Sequence, residues 1–161
     1  MTPPARVVLV PGVLALLPEY ASLSDPVAEL RAACLAAVGR LGSEVEVLAD
    51  RQGARVAAYL LDAAPRSGSA PSLLVVANGS ARRGEKAAGH VDERAHAFDF
   101  ALRGWLTGVA PFPEPALGRE LLAAMTGFEL MAQRGAPPGV PTVEYDDDPF
   151  GVQYWVMAWG R

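Results

Sequence analysis

Leu73-Leu74-Val75-Val76-Ala77-Asn78-Gly79-Ser80-Ala81-Arg82-Arg83-Gly84-Glu85-Lys86 decides how this chain is read. Its first five residues are a short continuous apolar run, the pattern of a strand buried on both faces. Asn78-Gly79-Ser80 then puts flexible backbone and small side chains at the carboxyl edge of that strand. Arg82, Arg83 and Lys86 follow, so backbone N–H groups and positive charge converge on one corner. Lys86 is the only lysine of the protein. Beyond Gly89-His90-Val91-Asp92-Glu93-Arg94 the pattern turns helical from Ala95 to Leu106. Strand, glycine-rich corner, helix is the order in which open α/β sheets build ligand crevices.

The flanking sequence alternates in the same way. Arg6 to Val10 is a short apolar strand followed by a proline-rich turn. Ser24 or Asp25 can cap a helix with Pro26 in its first turn, and Val27, Leu30, Cys34, Ala37, Val38 and Leu41 then share one face. Val45 to Leu48 reads as a strand and Gly53 to Ala63 as a helix. Pro65 to Pro71 is a loop too short to divide domains. A helix from about Asp92 places Phe98, Ala101, Leu102 and Trp105 on one face, and a further helix is expected from about Pro115 to Arg134. Val140 to Tyr145 and Gly151 to Trp159 read as two strands joined by an Asp-Asp-Asp-Pro-Phe turn, a carboxy-terminal hairpin. The pattern predicts a three-layer α/β fold, with a mainly parallel sheet and helices on both faces.

With 161 residues, 51% of them hydrophobic, the chain can bury one substantial core and is read as one domain, 1–161. No apolar run reaches the length that spans a bilayer, and Met1 to Arg6 lacks the build of a signal peptide, so no membrane partner and a cytoplasmic location are expected. One cysteine, Cys34, excludes a disulfide within the chain and suits a reducing compartment. A net charge of −4 argues against a nucleic-acid partner. Arginine in place of lysine, with abundant Ala, Gly and Pro, suggests a GC-rich coding bias.

Val75 to Arg83, Glu85-Lys86-Ala87, Asp92 to Ala95 with Phe98-Asp99, and Tyr145 to Tyr154 together resemble the actinobacterial proteins described as class III extradiol ring-cleavage dioxygenase-like, of the β-subunit type. So do Val10 to Leu14, Leu17-Pro18-Glu19 and Leu30 to Cys34 at the amino end. These proteins are relatives of the β subunit of protocatechuate 4,5-dioxygenase and, more distantly, of the Memo proteins. The resemblance implies a single, shortened domain of that architecture. Active enzymes of the class hold Fe(II) with two histidines and a glutamate. The turn that carries the first histidine corresponds here to Pro11-Gly12-Val13-Leu14, the second falls in Val45 to Asp50, and the catalytic histidine corresponds to Ala81. None of these stretches contains histidine, and Glu129 is the one candidate remnant of the third ligand. The resemblance therefore implies a domain without metal or other cofactor, with iron-dependent ring cleavage the least favoured activity.

Three functions stay open. In the first, a binding module keeps the crevice and holds a small anionic molecule with Gly12, Asn78, Gly79, Ser80, Arg82, Arg83 and Lys86. Surface cations are more often solvated or paired with acids such as Glu85, which is the plainer account of the same residues. In the second, the crevice runs non-oxidative enzyme chemistry with Lys86, His90 or Asp147 as acid or base. His90 and His96, the only histidines, do not share a helix face, and Asp146 to Asp148 suit a solvated turn. Tyr145 and Tyr154 flank that turn, where they either line a pocket or pack with a tethered hydroxyl. In the third, the chain is an assembly partner and pairs as a homo-oligomer through its Trp-rich last strand. Cys34, Trp105, Trp155 and Trp159 sit in periodic elements and are expected in the core.

Overall fold

The computed structural model describes residues 4–20, 23–85, 90–135 and 137–160. Its strands are β1 (Arg6–Val10), β2 (Val45–Leu48), β3 (Ser72–Val76), β4 (Thr142–Asp147) and β5 (Tyr154–Gly160). Its α-helices are α1 (Ala28–Val38), α2 (Arg51–Ala63), α3 (Arg94–Leu106), α4 (Pro115–Glu120) and α5 (Thr126–Gln133). The strands form one five-stranded sheet in the order β2-β3-β1-β5-β4.

Residues on β1 and β3 alternate between two cores. Val7, Leu9, Leu73 and Val75 join Phe98, Leu102, Phe128 and Met131 on one face. Val8, Val10, Leu74 and Val76 join Leu30, Cys34, Val56 and Leu60 on the other. Both faces of these strands are thus covered by helices, which is why their sequences show no polar alternation. β1 runs parallel to β3, and β3 to β2. β5 runs antiparallel to β1 and to β4. The expected mainly parallel sheet is therefore corrected to a mixed one. The terminal pair enters through β5 because Tyr154 to Trp159 are apolar on both faces and all buried, whereas β4 is half-exposed and acidic, as suits an edge. For the same reason the last strand cannot carry self-assembly: it lies between β1 and β4, and the sheet edges are β2 and β4.

The helix expected from Pro115 to Arg134 is instead two, α4 and α5, separated at Leu122, which adopts a left-handed backbone with φ of 59°. The break is tertiary in origin. The N–H of Ala124 donates to the Asn78 carbonyl at 3.0 Å, and the Ala81 N–H to the Leu121 carbonyl at 3.0 Å. A continuous helix would spend Leu121 and Ala124 on itself and leave the corner after β3 unpaired. α5 then starts against the sheet: a Cβ on Gly127 would lie 2.5 Å from the Val76 carbonyl oxygen, so only glycine permits this approach.

The predicted α1 face is buried, including Val27 and Leu41 beyond its ends. The Cys34 thiol, wholly buried there, is pushed up to about 12 by burial and is a core group. Trp105, Trp155 and Trp159 are likewise buried. Among the described residues, no helix is long and apolar enough to cross a membrane.

Candidate functional site

The corner after β3 is held from all sides. The Gly79 N–H donates to the Gln153 carbonyl at 2.9 Å, and the Ser80 N–H to Asp99 Oδ1 at 2.8 Å. Those of Ala81, Arg82 and Arg83 donate to the Leu121 carbonyl, Ser80 Oγ and the Gly151 carbonyl. Each backbone donor expected to greet an anion, from Gly79 to Arg83, thus has a partner inside the chain. Ser80 is fully buried and its hydroxyl donates to the Leu121 carbonyl at 2.8 Å. At Gly79 a Cβ would meet Asp99 Oδ1 at 2.7 Å and Gln153 Cβ at 2.8 Å, so this glycine serves packing between α3 and the residue that precedes β5.

The arginines are engaged too. Arg82 donates from Nε to the Glu120 carbonyl at 3.0 Å and from Nη1 to the His90 carbonyl at 3.2 Å. Arg83 bridges two acids, Nε to Asp148 Oδ2 and Nη1 to Asp99 Oδ2, both at 2.9 Å. Asp99 is 2% exposed. Burial raises its pKa above the ordinary carboxylate value, against the opposing hydrogen bonds from Ser80 and Arg83. Desolvation works against the Arg83 charge, but its bonds to Asp148 and Asp99 outweigh this and raise its pKa. Lys86 lies outside the described residues. His90 is exposed, and Asp147 is exposed on β4 with Oδ1 accepting from the Asp148 N–H. Glu129 sits on α5 in an ion pair with Arg119 of α4.

Two clefts flank this corner. The first lies where β1 and β3, adjacent and parallel, send the chain to opposite faces of the sheet: β1 leads to α1, β3 to α3. Such switch points, at the carboxyl ends of the strands, open a crevice by geometry alone. Here the crevice has a volume of about 320 Å³ and is lined by Gly12, Gln52, Asn78, Ala81, Val152 and Tyr154 among others. Asp50 caps α2 by accepting from the Gly53 N–H at 2.6 Å, which sets Gln52 in the first turn, facing Gly12. Gln52 Nε2 donates to the Gly12 carbonyl at 2.6 Å, and the Gly12 N–H to Asn78 Oδ1 at 3.3 Å. Burial, and then the neighbouring Tyr145, push the Tyr154 hydroxyl up to about 12.

The second cleft, about 330 Å³, lies between α3 and the β4–β5 turn and is lined by Arg83, Asp99, Phe100, Arg103, Asp146 and Trp155 among others. The structure thus brings Gly12 and Asn78 together in the crevice, puts Arg83 in the groove behind it, and leaves Arg82, His90 and Asp147 outside both. Gln52, Asp99 and Gln153 are site residues that sequence reasoning misses. Only Asp99 carries a signal: it interrupts the stripe Ala95, Phe98, Leu102, Trp105 at helical spacing, and an acid in an apolar stripe requires buried partners.

Among the described residues, no cluster of three or more His, Cys, Asp or Glu side chains could hold a metal. Comparison of the chain with protein-family models, with curated proteins and with solved structures finds no match.

Proposed function

We propose that the chain is a binding module of the extradiol dioxygenase β-subunit-like type, cytoplasmic and without metal, that holds a small molecule in the crevice between the ends of β1 and β3. The observation that carries this reading is the lining of the crevice. It gathers the Gln52 and Asn78 amides and the Tyr154 hydroxyl, and among the described residues it includes no carboxylate, imidazole or guanidinium. With its pKa near 12, Tyr154 keeps its proton at neutral pH and acts as a hydrogen-bond donor, not as a base. The set suits an uncharged ligand that carries hydroxyl or carbonyl groups, in place of the anion suggested by the arginines. It also supports binding over acid–base catalysis, since among the described residues no lining group is a carboxylate, imidazole or amine suited to that work.

The test is titration of the protein with catechol, an uncharged diol, and with acetate, followed by amide resonances. Catechol is expected to shift the Gln52 and Asn78 side-chain amides. Ala81→Phe, which fills the crevice, should abolish that shift, and Tyr154→Phe should weaken it. Binding of acetate at these amides in preference to catechol would sink the uncharged reading. Binding unchanged in Ala81→Phe would sink the site.

A further inference from the structure

We propose that the crevice selects a primary carboxamide or lactam with an apolar body, an inference that rests on the reading of the crevice as a binding site and names the class of its ligand. It comes from what two side-chain amides keep once Gly12 has used them. The Gly12 carbonyl accepts from Gln52 Nε2 at 2.6 Å, and its N–H donates to Asn78 Oδ1 at 3.3 Å. A carbonyl takes only a donor and an N–H only an acceptor, so these two bonds fix which way round each amide stands.

Among the described residues, no hydrogen bond engages Gln52 Oε1 or the Tyr154 hydroxyl. Asn78 Nδ2 gives one of its two N–H groups to the Gly79 carbonyl at 3.4 Å and keeps the other. The crevice is therefore left with an acceptor on α2, a donor at the corner after β3 and a hydroxyl on β5. None of its described lining residues carries a charge.

That inventory sorts the classes of ligand. An amine is protonated at neutral pH and a carboxylic acid ionised, so each would enter the crevice without a counter-ion. A ketone or ester accepts from Asn78 and Tyr154 but covers Gln52 Oε1 and leaves it without a donor, which costs the desolvation of that oxygen. A hydroxyl carries donor and acceptor on one atom, on which partners from three elements would have to converge. An amide carries them on two: its oxygen accepts from Asn78 Nδ2 and the Tyr154 hydroxyl, and its N–H donates to Gln52 Oε1. Val13, Leu14, Ala15 and Val152 line the rest of the crevice and receive the apolar body.

The experiment titrates the full chain with benzamide, acetophenone and catechol while the Gln52 and Asn78 side-chain amide resonances are followed. Acetophenone keeps the ring and carbonyl of benzamide but has a methyl group in place of the NH2. Benzamide is expected to bind tightest, with acetophenone weaker by roughly tenfold because it leaves Gln52 Oε1 unpaired. Gln52→Met, at an exposed position, should remove that difference by weakening benzamide alone, with Asn78 as the reporter. Tyr154→Phe, which acts on the carbonyl side, should weaken both and keep their ratio. The ratio stays readable even where Gln52→Met lowers the unfolding midpoint through its lost bond to Gly12. Acetophenone or catechol binding as tightly as benzamide, or a ratio unchanged in Gln52→Met, would overturn the amide inference and leave the crevice standing as a binding site. No shift of either side chain with any of the three compounds would overturn both.

Discussion

The crevice at the ends of β1 and β3 and the groove between α3 and the β4–β5 turn have nearly equal volumes and share one wall, the corner from Asn78 to Arg83. Their chemistry is opposite. The crevice is lined by amides, a hydroxyl and small residues; the groove holds two arginines, two aspartates and a histidine. The corner sorts them by sending its side chains to different places: Asn78 to the crevice, Ser80 inward, Arg83 to the groove. A glycine-rich corner after a strand therefore does not by itself define an anion site. What matters is whether its N–H groups are left free, and here those of Gly79 to Arg83 are consumed by Asp99, Gln153, Leu121, Ser80 and Gly151.

The most severe way to break the arrangement is Asp99→Ala. It leaves Arg83 and the Ser80 N–H without their buried acceptor and is expected to cost about 3 kcal/mol, read as a lower midpoint in urea unfolding. A loss well below 1 kcal/mol would mean that the corner holds without the groove. Crevice binding should fall along with stability in this variant, since one wall serves both.

The pH dependence tells the two sides apart. The folded pKa of Asp99 is raised, so the stability it contributes is fully present below its unfolded pKa of about 4 and is lost as pH rises through the folded value. Asp99→Asn should remove that decline between the two values. Tyr154 behaves alike in the alkaline range: its contribution is complete below about 10 and lost as pH rises through about 12, and Tyr154→Phe should make that limb shallower, leaving the share of Cys34, whose thiol burial also pushes up to about 12. Midpoints measured across pH in each single variant check both slopes. An alkaline limb unchanged in Tyr154→Phe would show that the hydroxyl is not shielded in the crevice.

A smaller effect is expected at the splice between α4 and α5. Leu122 holds a left-handed backbone while 44% exposed, so glycine relieves strain at little loss of packing. Leu122→Gly should stabilise by about 0.5 kcal/mol after the entropy cost of glycine. Destabilisation of the variant would point to a packing role for this side chain against the corner. The smallest effect is for chelation: unfolding with and without a strong chelator should give the same midpoint, and a drop would reveal a metal that no described cluster accounts for.

Several features were legible in the sequence because they depend on local pattern. The apolar runs of β1, β3 and β5, the buried face of α1 and the order of strands and helices follow from periodicity, which measures how many faces of an element meet apolar neighbours. The expected cap of α1 at Ser24 or Asp25 is not realised: Asp25 accepts from the Val27 N–H, but α1 starts at Ala28 with Val27 as its N-cap and no side-chain cap, so Pro26 lies ahead of the helix. Other features rest on partners far along the chain. The split of the Pro115 to Arg134 stretch, the internal place of β5, and the assignment of Arg83 to Asp99 and Asp148, 16 and 65 residues away, depend on which backbone and side-chain groups meet after the sheet has formed. The residue types at the corner thus set what the site could offer, a mixture of small side chains, amides and cations. Tertiary structure decided what is left to offer, because the backbone donors of the corner are spent within the chain, and on the crevice side there remain the Tyr154 hydroxyl and what the Gln52 and Asn78 amides keep beyond their bonds to Gly12 and Gly79.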